Sequence, residues 1–142
     1  MIEYLEDLTT LTADQLSGGF FEGWPSPPSA ELHLAHLRGA EVAIVALDTA
    51  SGQVVGFVTA IGDGALTAFI PLVEVLPEYR GRGIGAELVR RVLARLGDRY
   101  SIDLVCDPAL FTFYERFGGV PGSAMLWRNR DALGAQARRE RS

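Results

Sequence analysis

The segment Pro77-Glu78-Tyr79-Arg80-Gly81-Arg82-Gly83-Ile84-Gly85 holds the densest group of residues able to do chemistry in this chain. Glycines let a backbone turn tightly and come close to a ligand. A helix starting directly after them offers unpaired N–H groups and the positive end of its dipole. Three glycines alternating with two arginines describe a seat for an anion, and a pyrophosphate fits such a place. The competing reading is a strand-to-helix turn with no ligand, but these residues exceed what a plain turn needs.

Other side chains could take part in a reaction. Glu74 is the only charged residue between Asp63 and Glu78. On a buried strand its carboxylate would be desolvated and its pKa raised, which suits a base. A carboxylate paired with an arginine, or aimed at a helix N-terminus, is the alternative. Tyr114 could supply a proton, or could pack beside Leu110, Phe111, Phe113 and Phe117. Cys106 has no histidine near it in sequence and reads as a small buried thiol rather than a nucleophile. His33 and His36 lie three apart beside Glu31; without further ligands they read as a solvated patch, with no metal. Phe20, Phe21 and Trp24 precede the stiff run Pro25-Ser26-Pro27-Pro28 and either form the lip of a site or cover a sheet.

Periodicity and punctuation supply the elements that must position these groups. Ile2 to Leu8 reads as a first strand, Thr12 to Phe21 as a short helix broken by Gly18-Gly19, and Pro28 to Arg38 as a second helix stopped by Gly39. Glu41 to Leu47 and Gln53 to Ala60 form a hairpin about Asp48-Thr49-Ala50-Ser51-Gly52. Ala65 to Leu76, apolar on both faces, predicts a central buried strand in which Pro71 demands a bulge or an open edge. Gly83 to Leu96 is the clearest helix, with Ile84, Leu88, Val92 and Leu96 at four-residue spacing. Tyr100 to Cys106 is the next strand, Asp107 caps a helix that begins at Pro108 and runs to Phe117, and Ser123 to Trp127 reads as a last strand. The order β-α-α-β-β-β-α-β-α-β implies antiparallel hairpins followed by one parallel strand–helix–strand unit. The fold class is therefore α/β (α+β): a mixed, mostly antiparallel sheet with one parallel pair and helices on both faces.

Composition narrows the function. The 142 residues make one domain, 1–142, with a tail from about 129 that should fray. A net charge of -5 argues against a nucleic-acid binder. No run approaches the roughly 18 apolar residues of a membrane span. An acidic N-terminus and a single cysteine favour a cytoplasmic setting. Every one of the 13 basic residues is arginine, so no lysine side chain is present to be self-acylated.

From Val73 to Ala86 the chain resembles motif A of the GNAT acyltransferase superfamily, in which Arg or Gln is followed by two residues, Gly, any residue, and Gly or Ala; Arg80, Gly83 and Gly85 fill it. The segment from Asp107 to Phe117, with Phe113-Tyr114-Glu115-Arg116-Phe117-Gly118, is similar to motif B. The resemblance implies acetyl-CoA as cosubstrate, without a metal. The turn Arg80, Gly81, Arg82, Gly83, Ile84, Gly85 and Ala86 would hold its pyrophosphate. The backbone of Val73 and Val75 would pair with the pantetheine arm where the strand splays from Tyr100–Cys106. It implies Tyr114 as the acid that protonates the departing thiolate. Acyl transfer also needs a free amine lone pair, and Glu74 is the candidate base; family members that carry a glutamate nearer the strand start would have it where this chain has Phe69. Phe21 and Trp24 would be the lip for an amine acceptor, a small molecule or a peptide, in a monomer or homodimer. One departure is Asp107, where the family often has asparagine; it is either committed to capping or marks a difference in the site. Two rivals stand beside this reading. Gly81-x-Gly83-x-x-Ala86 with Asp103 satisfies a loose dinucleotide fingerprint, although three strands precede it and little chain follows. A domain of the same fold could also bind acyl-CoA as a sensor without turnover.

Overall fold

The computed structural model describes residues 1–129 together with Asp131 and Ala132; most of the expected tail lies outside the described residues. Among the described residues the main elements follow in the order β1 (Ile2–Leu5), α1 (Ala30–Gly39), β2 (Val42–Asp48), β3 (Gln53–Gly62), β4 (Thr67–Ile70), β5 (Val73–Val75), α2 (Ile84–Leu96), β6 (Ser101–Leu104) and α3 (Phe111–Glu115). Short 3-10 turns at Ala13–Leu16, Pro77–Tyr79 and Pro108–Leu110 link them. The sheet runs β1-β2-β3-β4-β6, and β5 pairs with β3 alongside. The hairpin pairs are antiparallel, and β4 runs parallel to β6 from Thr67↔Ser101 to Ile70↔Leu104. The mixed sheet with one parallel pair matches the expected fold class.

β3 shows how the two faces are filled. Side chains alternate along a strand, so Gly56 and Phe57 point oppositely. A side-chain carbon added at Gly56 would lie 3.2 Å from both Ile84 and Leu88, so the missing side chain is what lets α2 come close. Ile84, Leu88, Val89, Val92 and Leu96 of α2 are buried there; each contributes roughly 1.5–3 kcal/mol. On the other face Phe57 is fully buried beneath Phe20, Phe21 and the α1 residue His33. Helices thus cover both faces.

Three expectations are corrected. Thr12 to Phe21 forms only the 3-10 turn Ala13–Leu16, because the left-handed residues Gly19 and Phe21 exclude helix. Ala65 to Leu76 is two strands, not one buried strand. Asp63 accepts the N–H groups of Ala65, Leu66 and Thr67 and delays the start, and Pro71 ends β4 by removing a ladder donor. β4 alternates exposed and buried residues and β5 is half-buried. Ser123 to Trp127 forms no strand. Pro121 and Gly122 lie just before that run, and Met125 and Trp127 remain exposed. Elsewhere the differences are at ends: Asp107 does cap, accepting the N–H of Ala109 at 2.9 Å, but Pro108–Leu110 is 3-10 and α3 stops at Glu115.

Candidate active site

The turn before α2 is built from two left-handed glycines, Gly81 (φ 79°) and Gly83 (φ 82°). Nothing lies within 4 Å of where a side chain would start at either, so it is the backbone conformation that calls for glycine. No side chain caps α2 at Gly83. The first in-helix bond runs from the Glu87 N–H to the Gly83 carbonyl, so the N–H groups of Ile84, Gly85 and Ala86 are free of intrahelical partners. Alternating handedness followed by a helix start makes a concave nest of donors for an anion.

The arginines of this turn brace it. Arg80 donates from Nε to the Val75 carbonyl at 3.0 Å, and Arg82 donates to the Glu78 carbonyl and stacks over the Tyr79 ring. The Tyr79 hydroxyl donates to Asp48 Oδ2 at 2.6 Å, tying the turn to the β2–β3 hairpin.

β5 leads from this nest toward the sheet. The Leu76 N–H bonds to Val55 and the Leu72 carbonyl accepts from Thr59, so these residues address β3. By the two-residue period, the backbone groups of Val73 and Val75 point to the opposite edge, which takes no strand among the described residues. β4 and β6 pair only as far as Leu104, so a gap opens between β5 and the chain beyond β6.

α3 closes the far side of that gap. A side-chain carbon at Gly85 would lie 3.7 Å from Val75 and 3.9 Å from Phe113, bringing α3, α2 and β5 together at the nest. Tyr114, next to Phe113, lines a cavity of about 740 Å³ with Ile70, Val89, Leu104 and Cys106. Burial first, and then the neighbouring Cys106, push the Tyr114 hydroxyl above its ordinary pKa, so it holds its proton. Cys106, expected to be buried, is half-buried.

Glu74 faces the other way, toward α1. It stands opposite Phe57 in the β3–β5 register, and its Oε1 accepts the Phe21 N–H at 2.8 Å. Burial raises its carboxyl above the ordinary value, while the Phe21 amide, the Arg80 charge and the Glu22 amide pull it back. The structure therefore puts Glu74 on the strand bordering the gap and Tyr114 on the helix across it. Phe21 is buried over the sheet, whereas Trp24 is 41 % exposed and meets the Phe21 ring edge-on at 5.1 Å. Phe69 lies on β4, outside β5, and is 36 % exposed.

The solvated patch expected of His33 and His36 is not found: His33 is buried and His36 half-buried. α1 lays this face on β3, so His33 is 2 % exposed within a cluster of Phe20, Phe21 and Phe57. His36 bonds Thr59 Oγ1 at 2.8 Å. Desolvation, then the nearby His36, lowers the His33 pKa to about 4. The strap from Tyr79 to Asp48 and the clasp from Glu74 to Phe21 also escaped the sequence reading. Each joins residues far apart in the chain, and no local pattern marks them.

Comparison with known proteins bears on the family and the fold. The model of the acetyltransferase (GNAT) family matches residues 5–119. The uncharacterized N-acetyltransferase ycf52 of Pyropia yezoensis is 27% identical over 115 residues, 74% of this chain and 64% of the relative. This chain thus spans less than two thirds of that relative's length. A crystal structure of a Deinococcus radiodurans R1 protein, provisionally assigned as an acetyltransferase, is 47% identical with a TM-score of 0.87, over 92% of this chain and 90% of that one. The structure of AAC(6')-Iy in complex with the bisubstrate analogue CoA-S-monomethyl-acetylneamine shares the fold: 18% identity, TM-score 0.64, 91% of this chain and 98% of that one.

Proposed function

The chain belongs to the GNAT acetyltransferase family, and on that premise we propose that it moves an acetyl group from acetyl-CoA to a primary amine of a small molecule or peptide, by direct attack. The observation that carries this reading is the uncapped start of α2 behind two left-handed glycines, set beside the edge of β5 that takes no strand among the described residues. That pairing suits a ligand with a pyrophosphate at one end and an amide-bearing arm at the other. Backbone N–H groups from Gly81 to Ala86 are assigned to the pyrophosphate, the Arg80 N–H being given to the Pro77 carbonyl. The outward backbone groups of Val73 and the Val75 N–H are assigned to the arm, since the Val75 carbonyl accepts from Arg80.

In the reaction the amine nitrogen bonds to the thioester carbonyl carbon and the carbon–sulfur bond breaks. The amine gives up a proton, for which Glu74 is the assigned acceptor; a carboxyl with a raised pKa suits that role. The thiolate takes a proton, for which Tyr114 is the assigned donor, kept protonated by burial. Phe21 and Trp24 form the acceptor lip. We further propose one catalytic domain acting in the cytoplasm without nucleic acid; no helix among the described residues is long and apolar enough to cross a membrane.

The test is a thiol-release screen of amines, amino acids and peptides with acetyl-CoA, followed by mass measurement of the products. An acceptor that gains an acetyl group over many turnovers supports the reading. CoA binding without turnover across the panel favours the sensor.

A further inference from the structure

Among residues 19 to 23 the backbone is left-handed at every second position: Gly19 (φ 105°), Phe21 (φ 66°) and Gly23 (φ 84°). The two glycines adopt this at no steric cost. Phe21 does not, and it is the only residue other than glycine with a positive φ among those described. Such a conformation persists only where its surroundings over-determine it. The Phe21 ring is held by packing: 95 of every 100 parts of its surface are covered, against His33 at 4.9 Å and Phe57 at 6.1 Å. Packing fixes a ring but leaves the peptide planes to be set by something else, and the contacts there are the 2.8 Å bond from the Phe21 N–H to Glu74 Oε1 and the Glu22 amide, which addresses the same carboxylate.

We propose that Glu74 is a positioning residue for the acceptor lip: its carboxylate takes the Phe21 N–H, holds that peptide in the left-handed turn, and so sets where Trp24 stands. The inference rests on reading this loop as the lip of the acceptor site. Trp24 inherits its place from Phe21 in two ways. Its own N–H donates to the Phe21 carbonyl at 3.2 Å, and its ring meets the Phe21 ring at 5.1 Å. Glu74 is well placed to act as a clasp, because its partner across the ladder is Phe57, the shelf on which Phe21 rests. A bond to an ionised acceptor is also stronger than one between neutral groups. The only other tie from this loop to the cofactor turn is Glu22 to Arg80 among the described ion pairs. At 3.8 Å, with both side chains more than half exposed, it holds little.

Two substitutions separate clasping from proton transfer. Glu74→Gln keeps a carbonyl oxygen at the same reach and removes the base. Glu74→Leu removes both. In a Trp127→Phe background Trp24 is the sole tryptophan, and acrylamide quenching reports its exposure. Hydrogen exchange at the Phe21 amide reports the clasp itself, with the Phe57 and Val58 amides as the internal check that the sheet is intact. We expect Glu74→Gln to lose turnover and, with its weaker neutral acceptor, to disturb Trp24 quenching and Phe21 exchange much less than Glu74→Leu does. Glu74→Leu should raise quenching about twofold and speed Phe21 exchange at least about tenfold, the signature of local opening. Should Glu74→Leu prove unfolded by its Phe57 and Val58 exchange, Glu74→Ala is read in its place. Unchanged Phe21 exchange in the folded apolar variant, or equal disturbance in Glu74→Gln, would overturn the clasp. Absence of turnover in the parent with every amine would count against the proposed activity alone, since both lip readouts need no substrate.

Discussion

At Tyr114 the useful property is a proton retained. The hydroxyl lies in a half-buried position beside Cys106, and both burial and that neighbour disfavour the phenolate. Its folded pKa is raised, so the protonated form persists through neutral pH and up past 10, the ordinary value for tyrosine. Tyr114→Phe removes the proton and little else. Turnover should fall about a hundredfold, within the usual range for loss of a general acid, while calorimetry should return a CoA affinity within about twofold of the parent. Unchanged turnover would remove the assignment. At this scale the sequence was readable where a residue stood out from its neighbours. Glu74 was conspicuous as the one charge in a long apolar stretch, and Gly83 as part of an alternating series. His33 was misread, because a histidine on a short helix gives no sign of which face will meet a ring such as Phe57.

The elements that carry the site depend on one close approach. α2 can present its N-terminus beside β5 because Gly56 has no side chain. A methyl there would meet Ile84 and Leu88 at 3.2 Å and the Glu74 carbonyl at 3.3 Å, closer than ordinary contact. Gly56→Ala should therefore cost about 1–3 kcal/mol, the usual range for overpacking, measured by denaturant unfolding. Because the helix must shift to admit the methyl, CoA binding should weaken too; an unaltered affinity would mean that the nest does not depend on this packing. The antiparallel hairpins and the parallel β4–β6 pair were readable from turn residues and periodicity, but the element order was only partly so: the first expected helix is a 3-10 turn, one expected strand is two, and the last is absent. The division at Pro71 was half-readable: proline demanded an irregularity, but not two separate strands with exposed Phe69 between buried Ala68 and Ile70. Ser123 to Trp127 has the apolar content of a strand, yet strand formation needs a partner edge, and composition cannot supply one.

For the molecule as a whole, the buried α1–β3 interface builds in a sensitivity to acid. His33 titrates near 6.5 when unfolded and at about 4 in the fold. The depressed value means that the folded state binds the proton less well. Its contribution is therefore fully present above pH 6.5 and is lost as the pH falls toward 4, a difference worth roughly 3 kcal/mol. Its Nε2 is buried without a hydrogen-bond partner, so an apolar replacement leaves nothing unsatisfied there. His33→Leu should be at least as stable as the parent at pH 7.5 and should lose less stability by pH 4.5. Equal acid losses in thermal unfolding would contradict this. The central claim concerns the turn from Arg80 to Gly85, and the most direct test is calorimetric titration of CoA into the parent chain and into Gly83→Glu, both shown to be folded. A glutamate at the left-handed N-cap would place a negative charge in the donor nest. Saturable binding by the parent, weakened at least about a hundredfold in the variant, or about 2.7 kcal/mol, is the predicted result. Equal affinity in the two chains would contradict the site.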